Sequence, residues 1–378
     1  MLSIWEKQQL VKKDIVIIGS GITGLSAAAY LGEHHPDRQV TIVEKGALPS
    51  GASTKNAGFA CFGSVSEIVD DLIHMPENEV LQLIELRLKG LAVLKHRLGE
   101  KPIGFEQWGG HELITSENSW YLDKIDYINE MLQPLFKRRC FEVRNELIPA
   151  FGFGVEKDAQ LVYTPFEGQL DTGKMMQQLM ALVRSFGVET FTNTEVQHID
   201  DLGHQVILET SNGLSLSARQ VLVANNGFVA KLLPQIDVQP GRGLVLATSP
   251  ISSLKIRGTF HMKMGYYYFR NFHDRVIFGG GRNLDFEGET TTDEDINPKI
   301  MKHLQKMLQD MILPGHDYRI ESAWTGTMGF GQSKSATLQA VSANVFVGVG
   351  LGGMGVAIGS IIGEELAKLC LTGNKAEI

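Results

Sequence analysis

The segment Gly19-x-Gly21-x-x-Gly24 restricts the folds open to this chain more than any other feature. An apolar run at residues 14–18 precedes it, and an apolar stretch at residues 22–31 with the small residues Ser26, Ala27, Ala28 and Ala29 follows. A buried strand, a glycine turn and a helix are expected in that order, then a second strand at residues 40–43 ending at Glu44. In this setting the glycines permit a tight turn, and the N–H groups of a helix N-terminus can approach a pyrophosphate. Glu44 stands twenty residues after Gly24, where its carboxylate can accept hydrogen bonds from adenosine ribose hydroxyls and would repel a 2′-phosphate.

Further along, apolar residues at helical spacing (Val80, Leu83, Ile84, Leu91, Leu94) predict a long helix over residues 79–98, and residues 121–136 predict another. Asp171 is placed to cap a helix that runs to residue 186, followed by a strand at residues 188–192. Asn212-Gly213 joins two short strands, at residues 205–210 and 214–217, into a hairpin, and residues 221–224 form a further apolar strand. From residue 238 to about 319 the pattern turns β-rich, with strands at 266–269 and 275–278 and one helix at 298–311. The last forty residues repeat the pattern of the first: a strand at 344–349, a glycine loop at 350–355 and an apolar helix at 356–370.

A chain of 378 residues is long enough for two cores. Its net charge of −8 speaks against a nucleic-acid partner, which needs a basic face. Three widely spaced cysteines, Cys61, Cys140 and Cys370, suggest neither a metal site nor a disulfide framework, and a cytoplasmic setting is expected. No stretch reaches ~18 apolar residues, so neither a membrane span nor a signal peptide is expected.

The opening motif does not by itself separate NAD from FAD. The terminal run Gly348-x-Gly350-x-Gly352-Gly353-x-Gly355 points to FAD, because it opens a helix whose N-terminal end could face a developing anion. A reduced flavin carries such a charge over N1 and the C2 carbonyl.

Taken in order, the first glycine motif, the loop at residues 51–58, Tyr266-Tyr267-Tyr268-Phe269-Arg270 before Gly279-Gly280-Gly281, Trp324-x-Gly326 and the terminal loop form a series. That series resembles the D-amino-acid oxidase superfamily of FAD enzymes, which includes glycine and sarcosine oxidases. The γ-glutamylputrescine oxidase-like branch, with its upstream tryptophan (here Trp5), is the nearest in flavour.

The resemblance implies an α/β architecture (α+β overall): a discontinuous Rossmann-type FAD domain of the glutathione-reductase type, and a substrate domain on a mainly antiparallel sheet. The FAD domain is expected over residues 1–78, 150–230 and 322–378, and the substrate domain over 79–149 and 231–321. It implies non-covalent FAD, with Gly19, Gly21, Ile22, Thr23 and Gly24 at the pyrophosphate, and Glu44 at the ribose beside Lys45. Gly51, Ala52, Ser53, Asn56, Ala57 and Gly58 would line the flavin, and Val196 would meet adenine. Ala224 and Asn225 would lie beside the pyrophosphate, with Gly352, Gly353, Met354, Gly355 and Val356 under the pyrimidine ring.

Family chemistry implies oxidation of a carbon–nitrogen bond by hydride transfer to flavin N5, imine hydrolysis, and reoxidation by oxygen or another acceptor. Arg270, Tyr268, Trp324 and Met354 are the candidates at the reacting end, with Tyr266 and Tyr268 on one face of their strand. One departure matters. Amino-acid oxidases of this family carry an arginine in a Trp-x-Gly-x-Arg-Pro segment that clamps the substrate carboxylate. Here that place is Met328, and Arg270 is the alternative clamp. Lys55, Lys263 and Arg282 could serve oxygen or the flavin, and Cys61 lies near the 51–58 loop. The competing readings are a 2-hydroxy-acid or polyol-phosphate dehydrogenase, with His261 or His273 as base, and a flavoprotein subunit that depends on a partner.

Overall fold

The computed structural model describes residues 3–373. Its first sheet has the strand order Thr337–Ala340, Val345–Val349, Ser215–Val223, Lys12–Ile18, Val40–Val43, Glu189–Phe191. All pairs are parallel except the first, and the hairpin Val196–Asp201/Val206–Thr210 joins Ser215–Val223 from the side. Residues Ile15, Val16 and Ile17 are fully buried, as expected of a parallel strand covered on both faces.

The small residues after the glycine motif set how the helices stack. Ala27, Ala28 and Ala29 are wholly buried, Ala27 lies beside Gly363 where Ile22–His34 meets Gly355–Thr372, and Ser26 Oγ faces Ser360 Oγ at 3.5 Å. A Cβ at Gly363 would come within 2.4 Å of Thr23 O, so this crossing depends on the absence of a side chain. On its other side Gly355–Thr372 meets the helix Glu77–Leu98, whose Leu91, Leu94 and Leu98 join the same core.

In the second sheet the order is Ile320–Gly331, Val238–Thr248, Arg275–Gly280, Tyr267–Phe272, Thr259–Met262, Gly110–Ile114, Gln160–Thr164, Glu142–Val143. It is antiparallel apart from the pair Thr259–Met262 and Gly110–Ile114. One face packs on the helix Pro298–Met307 through Phe260, Phe269 and Phe278, with Phe260 and Phe269 stacked at 4.6 Å. Among the described residues no helix is long and apolar enough to cross a membrane.

Several segments differ from the sequence reading, each for a non-local reason. The pieces at 214–217 and 221–224 are one strand, Ser215–Val223, which leaves the hairpin and continues into the parallel sheet. The helix expected over 121–136 is a tight-turned segment, Ser116–Lys124, followed by an α-helix, Ile125–Phe136. The sequence division also assigns segments to the wrong sheet. Gln160–Thr164 lies within 150–230 yet pairs with Gly110–Ile114, and Ile320–Gly331 belongs to the second sheet although most of it lies beyond residue 322. Conversely, half of the helix Glu77–Leu98, expected with the substrate domain, packs on the first core.

Candidate active site

A continuous cavity of about 600 Å³ runs from the first glycine turn to the inner face of the second sheet. One end is built by the strand Lys12–Ile18 delivering Gly19 with φ of 105°, a conformation that favours glycine. There is no room for a side chain either, since a Cβ on Gly19 would meet Ala224 O at 2.9 Å. Gly24 is not in the wall: a Cβ on it would lie 2.0 Å from Gly19 O, so its role is to let the helix sit on the turn.

Glu44 is buried, and its carboxylate accepts from four donors. Ser20 N and Oγ reach Oε2 at 3.1 and 2.6 Å, and Gly46 N and Ser50 Oγ reach Oε1 at 2.9 and 2.7 Å. Beside it Lys45 lies over the Phe228 ring at 3.6 Å. Val196, Ala224 and Asn225 also face this end, and Asn225 Oδ1 is buried without a hydrogen-bond partner.

In the middle, the loop at residues 51–58 is tied to both halves. Ser53 Oγ accepts from Ile22 N at 2.9 Å, and Asn56 holds the loop by donating to Ala52 O and Ser53 O while accepting from Gly58 N and Thr172 Oγ1. Gly51, Ala52, Ser53, Asn56, Ala57 and Gly58 all face the cavity. Opposite them the terminal loop presents Gly352, Gly353, Met354, Gly355 and Val356 at the start of Gly355–Thr372. Asn226 Oδ1 fixes this loop by accepting from Gly350 N and Leu351 N at 2.9 and 3.3 Å.

These residues fit FAD on the structure's own terms. Among the described residues, the N–H groups of Gly21, Thr23, Gly353, Gly355 and Val356 make no hydrogen bond, and all five residues line the cavity. Unpaired donors at two helix starts, with an unpaired carbonyl oxygen at Asn225, match a ligand bearing a pyrophosphate and a polar ring edge.

The candidates for the reacting end divide. Tyr266 and Tyr268 both line the cavity, while Tyr267 points into the second core, as strand alternation requires. Tyr268 has its hydroxyl pushed up to about 12 by burial. Met354 also faces the cavity.

Arg270 does not. It is buried behind the wall, with Nη1 donating to Gly58 O and Leu170 O at 3.1 and 2.8 Å, and burial lowers it to about 10. It ties the loop at residues 51–58 to the segment at Leu170 and does not face the cavity. Trp324 is likewise outside the wall; its Nε1 donates to Lys55 O at 2.8 Å and its ring packs beside Ala57 and Val245. Of the remaining candidates, Lys263 and His273 do not line the cavity, whereas Lys55, Cys61, His261 and Arg282 do.

The structure adds a group of charges to the wall that the sequence did not single out: Glu67, Asp70, Asp71, Arg87 and Lys334. Three sit on the helix Val65–His74, and the box Ser64-x-x-Glu67 was the available signal for it, with Ser64 N donating to Glu67 Oε2 at 3.0 Å. Lys334 reaches over from the segment after Ile320–Gly331 to pair with Asp71 and, at 2.8 Å, with Asp70. Arg87 donates to Phe62 O at 2.7 Å and faces Asp71 at 3.9 Å.

His261 stands between two carboxylates: Nε2 is 2.9 Å from Glu167 Oε2 and Nδ1 is 3.5 Å from Glu67 Oε2. Burial alone would push the imidazole down. The anions of Glu167 and, less strongly, Glu67 and Glu112 outweigh it and raise His261 to about 9. The same charge keeps Glu67 below the usual carboxyl range against its burial. Cys61, Glu167 and His261 bring ligand-type atoms within 4.8 Å of one another. Burial, followed by Glu167 and Glu67, raises the Cys61 thiol well above its ordinary value, so the group favours protonated forms of both His261 and Cys61.

Comparison with known proteins matches this geometry. The chain is 24% identical over 376 residues to a probable oxidoreductase OrdL of Rhizobium meliloti, covering 95% of this chain and 83% of that one. It is 22% identical over 376 residues to the gamma-glutamylputrescine oxidoreductase of Escherichia coli, covering 94% and 83%. Among solved structures, glycine oxidase from Geobacillus kaustophilus superposes with a TM-score of 0.76 at 20% identity, over 97% of this chain and 96% of that one. The family model for FAD-dependent oxidoreductases of the DAO type matches residues 14–369, and the chain belongs to that family of FAD enzymes.

Proposed function

We propose that the protein oxidises a carbon–nitrogen single bond of an amine or amino acid. Bound FAD supplies the two-electron acceptor for the C–H bond next to nitrogen, and oxygen or another acceptor restores it. The residues around it would orient and exclude. Tyr268 and Met354 would bound the place of reaction, and the unpaired N–H groups of Gly355 and Val356 would meet negative charge that develops there.

One observation carries the choice of an amine over an alcohol. Oxidising a hydroxyl calls for a base to take its proton, and His261 is the one imidazole that lines the cavity among the described residues. Glu167 and Glu67 face its two nitrogens and raise it to about 9, which favours the protonated form through neutral pH. A neutral amine needs no such base, because its own lone pair assists loss of the adjacent hydrogen.

The expected result follows from this. At subsaturating substrate, the anaerobic rate of flavin reduction should rise about tenfold per pH unit between pH 6 and 8, as the substrate ammonium loses its proton. A rate that falls with pH, or a His261→Gln enzyme that keeps FAD but cannot be reduced, would sink the reading.

A further inference from the structure

We infer that Arg282 determines specificity by binding a carboxylate on the amine substrate; this rests on the function proposed above. Two guanidinium groups line the cavity among the described residues, Arg87 and Arg282. Arg87 Nη1 donates to Phe62 O at 2.7 Å and faces Asp71 at 3.9 Å, although its Nε, like that of Arg282, is buried without a partner. Among the described residues Arg282 has no ion pair and no side-chain hydrogen bond, and its Nε is buried without a partner. The residue is half-buried and only Nε is closed off from solvent, so its N–H edge is open to a ligand, and a carboxylate is the group that matches its geometry.

The surroundings fix where that fork stands. Arg282 lies over the Phe330 ring at 4.2 Å and near the Phe286 ring at 5.3 Å, so aromatic faces take up its flat sides and leave the N–H edge for a ligand. Gly281, with φ of 82°, turns the chain at the end of Arg275–Gly280 and directs Arg282 back over the sheet. The following loop is held by the buried pair of Arg242 and Glu289, whose two contacts are 2.8 and 2.9 Å. Arg282 therefore sits on an anchored turn.

Its position is also informative relative to Met328. Gly241 is the register partner of Met328, so the two share a sheet face. A Cβ on Gly241 would lie 3.0 Å from Arg282 Cζ, and the missing side chain is what makes room for the guanidinium. The cation thus reaches the face on which Met328 stands, but from a different strand end. Of the other cavity charges, Glu67 faces His261, and Asp70 and Asp71 face Lys334, while Lys55 is a further lining cation. Lys45 and Lys231 lie over Phe228 at the nucleotide end.

The test is a titration of purified holoenzyme with benzoate, which cannot be oxidised at a C–N bond, and with benzamide as its neutral counterpart. Binding is read from the flavin visible difference spectrum and from calorimetry. Wild type should bind benzoate saturably and benzamide at least about tenfold more weakly, and Arg282→Gln should weaken benzoate by about ten- to a hundredfold while leaving benzamide unchanged. Arg282→Lys, which keeps the charge and loses the fork, should fall between, and it serves as the readout if Arg282→Gln loses its flavin. Equal benzoate affinity in wild type and in flavin-loaded variants, or no saturable benzoate binding by wild type, would overturn the assignment. If amines lacking a carboxylate reduce wild type and Arg282→Gln equally and better than matched amino acids, Arg282 is excluded and C–N oxidation stands. If benzoate behaves as expected but no amine or amino acid reduces the flavin, the carboxylate site stands and the proposed reaction fails.

Discussion

Gly24→Ala is expected to give a folded protein that binds FAD at least about a hundredfold more weakly and is colourless after purification. An added Cβ would lie 2.0 Å from Gly19 O and 3.1 Å from Gly19 C, and these are backbone atoms that cannot rotate aside. Relief comes only by lifting the helix Ile22–His34 from the turn, which withdraws the N–H groups of Gly21 and Thr23 from the pyrophosphate position. Overpacking of this kind costs about 1–3 kcal/mol, small enough for the fold to survive while the site does not. Gly173→Ala is the control: it lies in the first turn of Thr172–Ser185, and its Cβ would meet only Asp171 Oδ1 at 3.3 Å. Flavin absorbance against protein absorbance, with circular dichroism for folding, reads the result. A yellow Gly24→Ala protein with wild-type FAD content would show that the helix does not need to rest on that turn.

The second large effect concerns the buried charge at His261. Glu167→Gln is expected to destabilise the protein by about 3 kcal/mol at pH 6, because it removes the nearer of the two carboxylates that pair the buried imidazolium. The sign follows from His261 being raised from 6.5 to about 9 in the folded state. Its contribution is complete below pH 6.5 and is lost as pH rises through about 9. The deficit of Glu167→Gln should therefore be largest at pH 6 and mostly gone by pH 10. Denaturant melts of the two proteins at both pH values measure it, and a deficit independent of pH would mean that His261 is not held protonated.

What could be read from the sequence was local. The strand–turn–helix around Gly19–Gly24, the placement of Glu44 and the shared face of Tyr266 and Tyr268 each depend on periodicity or spacing within a few residues. What could not be read depends on distant pairing. Arg270 and Arg282 both follow aromatic or glycine-rich strand segments, and sequence favours the first. The positive φ at Gly281 and the space over Gly241 send the second into the cavity, whereas Arg270 is consumed by Gly58 O and Leu170 O.

The contact of Lys334 with Asp70 spans 264 positions, and Gln160–Thr164 finds its sheet only through Gly110–Ile114. His261 was visible as a lone histidine, but its role changes once Glu67 and Glu167 are seen on either side.

A cavity that holds releasable FAD for oxidation of a C–N bond makes the protein yellow and reducible by amines. The direct measurement is the visible spectrum of the purified protein, acid release of its flavin, and anaerobic addition of amines, amino acids and 2-hydroxy acids. Flavin bands, FAD in the acid supernatant, and bleaching by at least one amine or amino acid but by no 2-hydroxy acid are expected. Bleaching by 2-hydroxy acids alone, or a colourless protein that takes up no added FAD, would contradict the proposed function.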